Sequence, residues 1–151
     1  MKVNIKNIIK LGLIIGIVDI LLAFTHAYIF NGADPIKVLQ FVASGALGRD
    51  AFAGGITSAA YGLLFHMLIA MCWTSLFYIL YMNVRMFFKN RFPFGLSFGL
   101  FIWLVMNLII VPLSSTPPQQ AKAMLPLMMM IGIHLFLGYL MAYFSGRFNR
   151  G

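Results

Sequence analysis

The sequence predicts an all-α membrane protein, with four transmembrane helices in a bundle and a short amphipathic helix in the first outer loop. Of its 151 residues, 62% are hydrophobic and only 9% are charged, whereas soluble domains carry about 25% charged residues. The hydrophobic residues also gather in four stretches, each long enough to cross a hydrocarbon core that needs about 20 helical residues. We therefore expect a single transmembrane domain that covers residues 1–151.

The four predicted spans are residues 8–30, 56–84, 93–113 and 123–144. Pro112 stands near the end of the third span and should end or kink that helix, because proline has no backbone N–H. The segment 114–120 that follows is rich in serine, proline and glutamine, a composition typical of a turn.

The first outer loop contains a helix signal of its own, predicted to cover residues 35–44. Asp34 can cap a helix start, and Pro35 suits the first helical position. Helical spacing separates an apolar face from a polar one, formed by Ile36, Leu39 and Val42 and by Lys37, Gln40 and Ser44. We expect this helix to lie in the membrane interface or against the bundle, with Gly45 and Gly48 breaking it. The second spanning helix should then start early, near Arg49.

The formal charge of +8 comes from eleven Lys and Arg residues against three acids. The basic residues lie at the ends of the spans, where they anchor helices to anionic lipid, so we expect a lipid bilayer rather than nucleic acid as partner. One side has Lys2, Lys6, Lys10, Arg85, Lys89, Arg91, Arg147 and Arg150; the other has Lys37, Arg49 and Lys122. Because positive residues stay cytoplasmic, both termini are predicted to be inside.

Small residues recur at spacings of three and four along each span. Such stripes allow helices in membranes to approach closely, and the predicted packing positions are Gly12, Gly16, Gly54, Ser58, Gly62, Gly95, Gly99 and Gly138.

Polar residues accompany these stripes. At about 1.5 Å of rise per residue, Asp19, His66 and His134 all fall near the middle of the bilayer. An ionised aspartate there costs about 2.5–3.5 kcal/mol, so two histidines at the same depth are natural partners. We expect these three side chains to converge, with Asn107 and His26 extending the polar cluster outward.

Between residues 62 and 138 the chain resembles the YagU-like family of small bacterial inner-membrane proteins. The resemblance rests on short motifs: His66, Gly95-x-x-x-Gly99-x-x-x-Trp103, Val111-Pro112-Leu113, His134 and Gly138. It implies location in the bacterial cytoplasmic membrane, and it implies no particular reaction.

Three functions remain open from the sequence. The polar cluster could bind a small polar ligand or ion, or relay protons; the protein could instead be a structural or accessory subunit, as a homo-oligomer or beside another membrane protein. A third alternative is a haem held by His66 and His134, or a metal ion held by these histidines with Asp19, although no cofactor is expected from a specific motif. No serine has a nearby histidine and acid in a recognisable pattern, so no catalytic residue is predicted. The single cysteine, Cys72, excludes a disulfide within the chain.

Overall fold

A computed structural model describes residues 5–84, 90–118 and 123–148, and in these ranges every regular element is helical. Four of the helices are long and apolar enough to cross a membrane. The predicted all-α fold with four such helices and a short helix after the first is therefore confirmed. The helices are α1 Ile5–Asn31, α2 Pro35–Leu47, α3 Gly55–Val84, α4 Arg91–Val105, α5 Val111–Leu113 and α6 Met124–Phe148.

The third span is one continuous helix, Arg91–Leu113, which widens near its C-terminal end. Met106–Ile110 between α4 and α5 is π-helical, and the backbone N–H of Val111 bonds the carbonyl of Met106. Pro112 follows immediately, and because it has no N–H to donate, the helix ends one residue later at Leu113. Pro112 was expected to end or kink this helix; in the structure the helix ends just after Pro112, and a π-helical turn precedes it.

The spanning helices run alternately up and down. α1 packs between α3 and α6, and α4 packs along α6. α3 meets α4 through aromatic rings, with the Phe77 and Phe98 centroids 5.2 Å apart. We call the end of the bundle where α1 begins and α6 ends the terminal end, and the opposite end, which carries α2, the α2 end.

The closest helix contacts occur at glycines. A Cβ on Gly95 would overlap the carbonyl of Gly138, and one on Gly99 would overlap the carbonyl of His134, so α4 and α6 touch backbone to backbone. Gly62 of α3 admits the backbone of Leu39 in α2.

The other predicted packing positions have different neighbours. Gly12 and Gly16 of α1 face methionine side chains of α3. Gly54 precedes α3, and a Cβ added to it would meet Ser58 of the same segment first. Ser58 itself is buried, at 4% exposure.

α2 buries two of its polar residues, whereas Lys37 of the same polar face is exposed. Gln40 and Ser44 are 6% and 0% exposed, whereas Ile36 is 44% exposed. Gln40 Nε2 donates to the carbonyl of Gly55 at 3.0 Å. In a membrane an apolar face gains nothing by turning inward, whereas polar groups gain hydrogen-bond partners there. This accounts for the burial of Gln40 and Ser44.

Helix boundaries in the first loop also differ from the prediction. Asp34 caps α2 as expected, accepting a bond from Lys37 N at 2.9 Å. Gly45 does not break α2, which ends at Leu47 and is capped by Gly48 with a φ of +63°. A 3-10 helix, Gly48–Phe52, then intervenes, and α3 begins only at Gly55, which has a φ of +56°, rather than near Arg49. Glycine adopts these positive φ angles without a steric penalty.

The apolar core lies in the half of the bundle nearer the terminal end. Its buried members come from all four spans: Leu11, Ile15, Phe77, Phe98, Ile102, Leu137, Met141 and Ala142. The core therefore fills the interior beneath the mid-membrane polar residues. Five of the basic residues used to predict orientation lie outside the described ranges: Lys2, Arg85, Lys89, Lys122 and Arg150.

Candidate functional site

A cavity of about 640 Å³ lies between α1, α2 and α6, in the half of the bundle that carries α2. Most of its wall is apolar, including the rings of Phe30, Phe41 and Phe52. Its polar side chains are Asp19, His26, Asn31, Lys37 and His134. Asn31 and Lys37 are exposed, so the cavity opens at the α2 end.

Asp19 lies at the deep end of this cavity and next to α3. Its Oδ2 is 3.9 Å from Nε2 of His66, and 27% of the Asp19 side chain is exposed against 13% of His66. The same Nε2 donates a hydrogen bond to the carbonyl of Gly16 at 3.0 Å. His66 thus links α3 to α1 and places a polarised N–H beside the carboxylate.

His134 shares the cavity wall with Asp19. Its Nδ1 donates to the carbonyl of Met130, one turn earlier in α6, at 2.9 Å. A carbonyl can only accept, so Nδ1 carries the proton, and the neutral ring keeps Nε2 as an acceptor.

His26 follows the same logic nearer the cavity mouth. Its Nε2 donates to the carbonyl of Pro126 in α6 at 3.0 Å, which leaves Nδ1 as the acceptor of the neutral ring. The cavity wall therefore carries a carboxylate at its deep end and two imidazoles, each with one ring N–H already bonded to a main-chain carbonyl. Such a wall suits a ligand that donates hydrogen bonds or carries positive charge.

The structure thus brings together four of the five residues predicted for the polar cluster: Asp19, His66 and His134 near mid-membrane, and His26 toward the mouth. Asn107 is not among them. Its Nδ2 donates to the carbonyl of Trp103, one turn back in the same helix, at 2.9 Å, and the residue is not part of the cavity wall.

The haem and metal alternatives require different positions for the two imidazoles. A haem between His66 and His134 would compete with the carbonyl of Gly16, which already holds Nε2 of His66. In residues 5–84, 90–118 and 123–148, no three His, Cys, Asp or Glu side chains are grouped to hold a metal ion.

Several residues of the site were not predicted from the sequence. Lys37, Val38 and Phe41 reach the cavity because α2 folds back over the bundle, and the assigned faces of α2 gave no sign of this. Phe52 reaches it from the 3-10 helix. The sequence feature that pointed to this position of α2 was Gly62, since a close approach by another backbone requires a residue without a side chain.

Comparison of the chain with models of known protein families finds no match. Searches among curated proteins and among solved structures find no match either. The sequence and the geometry support one classification, an integral membrane protein with four candidate spanning helices and a mainly apolar cavity that opens at the α2 end.

Proposed function

We propose that this protein binds a small polar ligand with a positively charged or hydrogen-bond-donating end in the cavity between α1, α2 and α6. The observation that carries the proposal is the placement of Asp19 in a mainly apolar cavity of about 640 Å³, beside two histidines. Binding sites of this kind combine an apolar wall with a few convergent polar groups. The carboxylate would receive the donor end, and the rings of Phe30 and Phe41 would cover the apolar part.

Binding fits the geometry better than conduction through the membrane. The interior between Asp19 and the terminal end is filled mainly by apolar side chains, among them Leu11 and Ile15 at 0% and 2% exposure, with the hydroxyls of Thr74 and Ser145 buried among them. A transmembrane proton relay would need a continuous line of polar groups or water there. A local proton exchange between the cavity and the Asp19–His66 pair remains compatible with the 3.9 Å separation.

The proposal includes a location. With positive residues retained in the cytoplasm, the terminal end faces the cytoplasm and the cavity opens on the opposite side of a bacterial inner membrane. Resemblance to the YagU-like family supports the same membrane. A ligand would then enter from outside the cell membrane, past Lys37.

The test uses two probes of equal length and opposite charge, n-butylammonium and n-butyrate. The purified protein in lipid nanodiscs is titrated with each probe and binding is measured by calorimetry. We expect n-butylammonium to bind and n-butyrate to bind at least tenfold more weakly, a ratio that corresponds to about 1.4 kcal/mol.

The matched variants are Asp19→Asn and Asp50→Asn, which remove the same charge. Asp50 lies in the 3-10 helix and outside the cavity wall. Asp19→Asn should abolish the preference for the cation, and Asp50→Asn should keep it. Equal binding of the two probes, or a cation preference that persists in Asp19→Asn, would refute the proposal.

A further inference from the structure

A second, smaller cavity lies at the terminal end, far from the first. Its volume is about 200 Å³, and it is lined by Arg91, Tyr143, Gly146 and Arg147. Arg91 opens α4 and Arg147 lies in the last turn of α6, so two guanidinium groups from adjacent helices share one small space at the membrane boundary.

The packing of Arg91 indicates a formed site rather than a loose surface side chain. Its Nε is buried without a hydrogen-bond partner, and its guanidinium carbon lies 5.2 Å from the centre of the Phe92 ring. The guanidinium occupies the space that a side chain at Gly146 would need. Across the cavity, Arg147 Nη1 donates to Tyr143 Oη at 3.2 Å.

The sequence offers no acidic side chain to neutralise this pair. The chain has three acids: Asp19 near mid-membrane, and Asp34 and Asp50 at the α2 end. Two like charges with an unpartnered buried donor are costly unless an anion joins them. The neutralising group must therefore come from outside these side chains.

We infer that the Arg91–Arg147 cavity binds a phosphate group, either the headgroup of an anionic phospholipid or free inorganic phosphate. Arginine suits phosphate because its planar guanidinium donates two parallel hydrogen bonds. The volume is several times the roughly 30 Å³ occupied by one water molecule, which leaves room for a phosphate. The cavity also lies at the level of the span ends, where headgroup phosphates of a bilayer are found.

The experiment measures binding of three probes to the protein in a neutral detergent by native mass spectrometry. The probes are short-chain phosphatidylglycerol, short-chain phosphatidylcholine and inorganic phosphate. We expect Arg91→Gln and Arg147→Gln each to weaken phosphatidylglycerol binding at least fivefold. Arg49→Gln removes the same charge at the α2 end and should leave binding unchanged.

A pair of variants without any charge change separates a formed site from general attraction. Gly146→Ala should push the Arg91 guanidinium aside and weaken binding by a similar factor. Gly132→Ala, in the same helix, meets nothing within 4 Å and should have no effect.

The probes distinguish the two sources of phosphate. Selective binding of phosphatidylglycerol, with inorganic phosphate failing to compete, assigns the site to lipid. Binding of inorganic phosphate that the same three variants weaken assigns it to the free anion. If Arg49→Gln weakens binding as much as Arg91→Gln, or if Gly146→Ala and both arginine variants bind phosphatidylglycerol like the unaltered protein, the inference is wrong.

Discussion

In each of the three histidines a ring N–H donates to a main-chain carbonyl. The three bonds differ in whether the carbonyl belongs to another helix or to the same helix. His66 joins α3 to the carbonyl of Gly16 in α1, and His26 joins α1 to Pro126 in α6. His134 bonds Met130 within its own helix. A bond between helices opposes their separation, whereas a bond within one helix persists when the helices separate.

We therefore expect His66→Ala and His134→Ala to have unequal effects on stability. Interhelical hydrogen bonds in membrane proteins average about 0.6 kcal/mol and reach about 1.7 kcal/mol, so His66→Ala should lower the free energy of unfolding by about 1 kcal/mol. His134→Ala should lower it by less than about 0.5 kcal/mol, since its bond is local. Reversible unfolding in bicelles measures both. A larger loss for His134→Ala would show that its ring holds the helices together in some other way.

For single residues, the sequence predicted the depth of a side chain in the bundle better than the direction in which the side chain points. Equal distance along the spans was enough to expect Asp19, His66 and His134 at one level, because helix rise per residue is constant. Asn107 shows what depth omits: the rotation of each helix about its axis depends on side chains from neighbouring spans. The amide of Asn107 can satisfy itself on Trp103, and nothing in its spacing reveals that choice.

The packing of the helices depends on where two backbones come into contact. α4 and α6 are in direct contact through Gly95, Gly99 and Gly138, and the stripe of small residues in the sequence predicted this face. The contacts of α2 were harder to predict, because helical spacing identifies its apolar and polar faces but not which one packs on the bundle. Gln40 of the polar face meets α3, and Ile36 of the apolar face is 44% exposed.

Gly99→Ala tests the backbone contact between α4 and α6. The added methyl would overlap the carbonyl of His134, and such overpacking typically costs about 1–3 kcal/mol. Gly132→Ala introduces the same methyl into α6 where nothing lies within 4 Å. It should leave stability unchanged or raise it by up to about 1 kcal/mol, from helix propensity. Unfolding in bicelles gives both values, and equal stability of the two variants would contradict the close packing described here.

At the scale of the whole molecule the bundle divides into two unlike halves. Toward the terminal end the interior is filled by large apolar side chains such as Phe77 and Met141. Toward the α2 end, a cavity lies between α1 and α6, and α2 borders it. This division could not be read from mean hydropathy, because all four spans have similarly high values. The two halves differ because large side chains fill the space between the spans in one half and leave part of it empty in the other.

Cysteine labelling tests whether the cavity between α1, α2 and α6 contains water and to which side of the membrane it opens. Cys72 is first replaced by serine, and a cysteine is then placed at Ala27, in the cavity wall, or at Leu21, which is 55% exposed on the outside of α1. Thiols react as thiolates, which form where water is present and not in hydrocarbon. A charged, membrane-impermeant methanethiosulfonate reagent added to oriented vesicles should therefore modify Ala27→Cys and leave Leu21→Cys unmodified. Reaction should occur from the side of the membrane that carries α2, because the packed core closes the other side. If the reagent fails to modify Ala27→Cys from either side, the cavity contains no water, and ligand entry from the α2 end is excluded. If the reagent modifies Ala27→Cys from both sides, the core admits water.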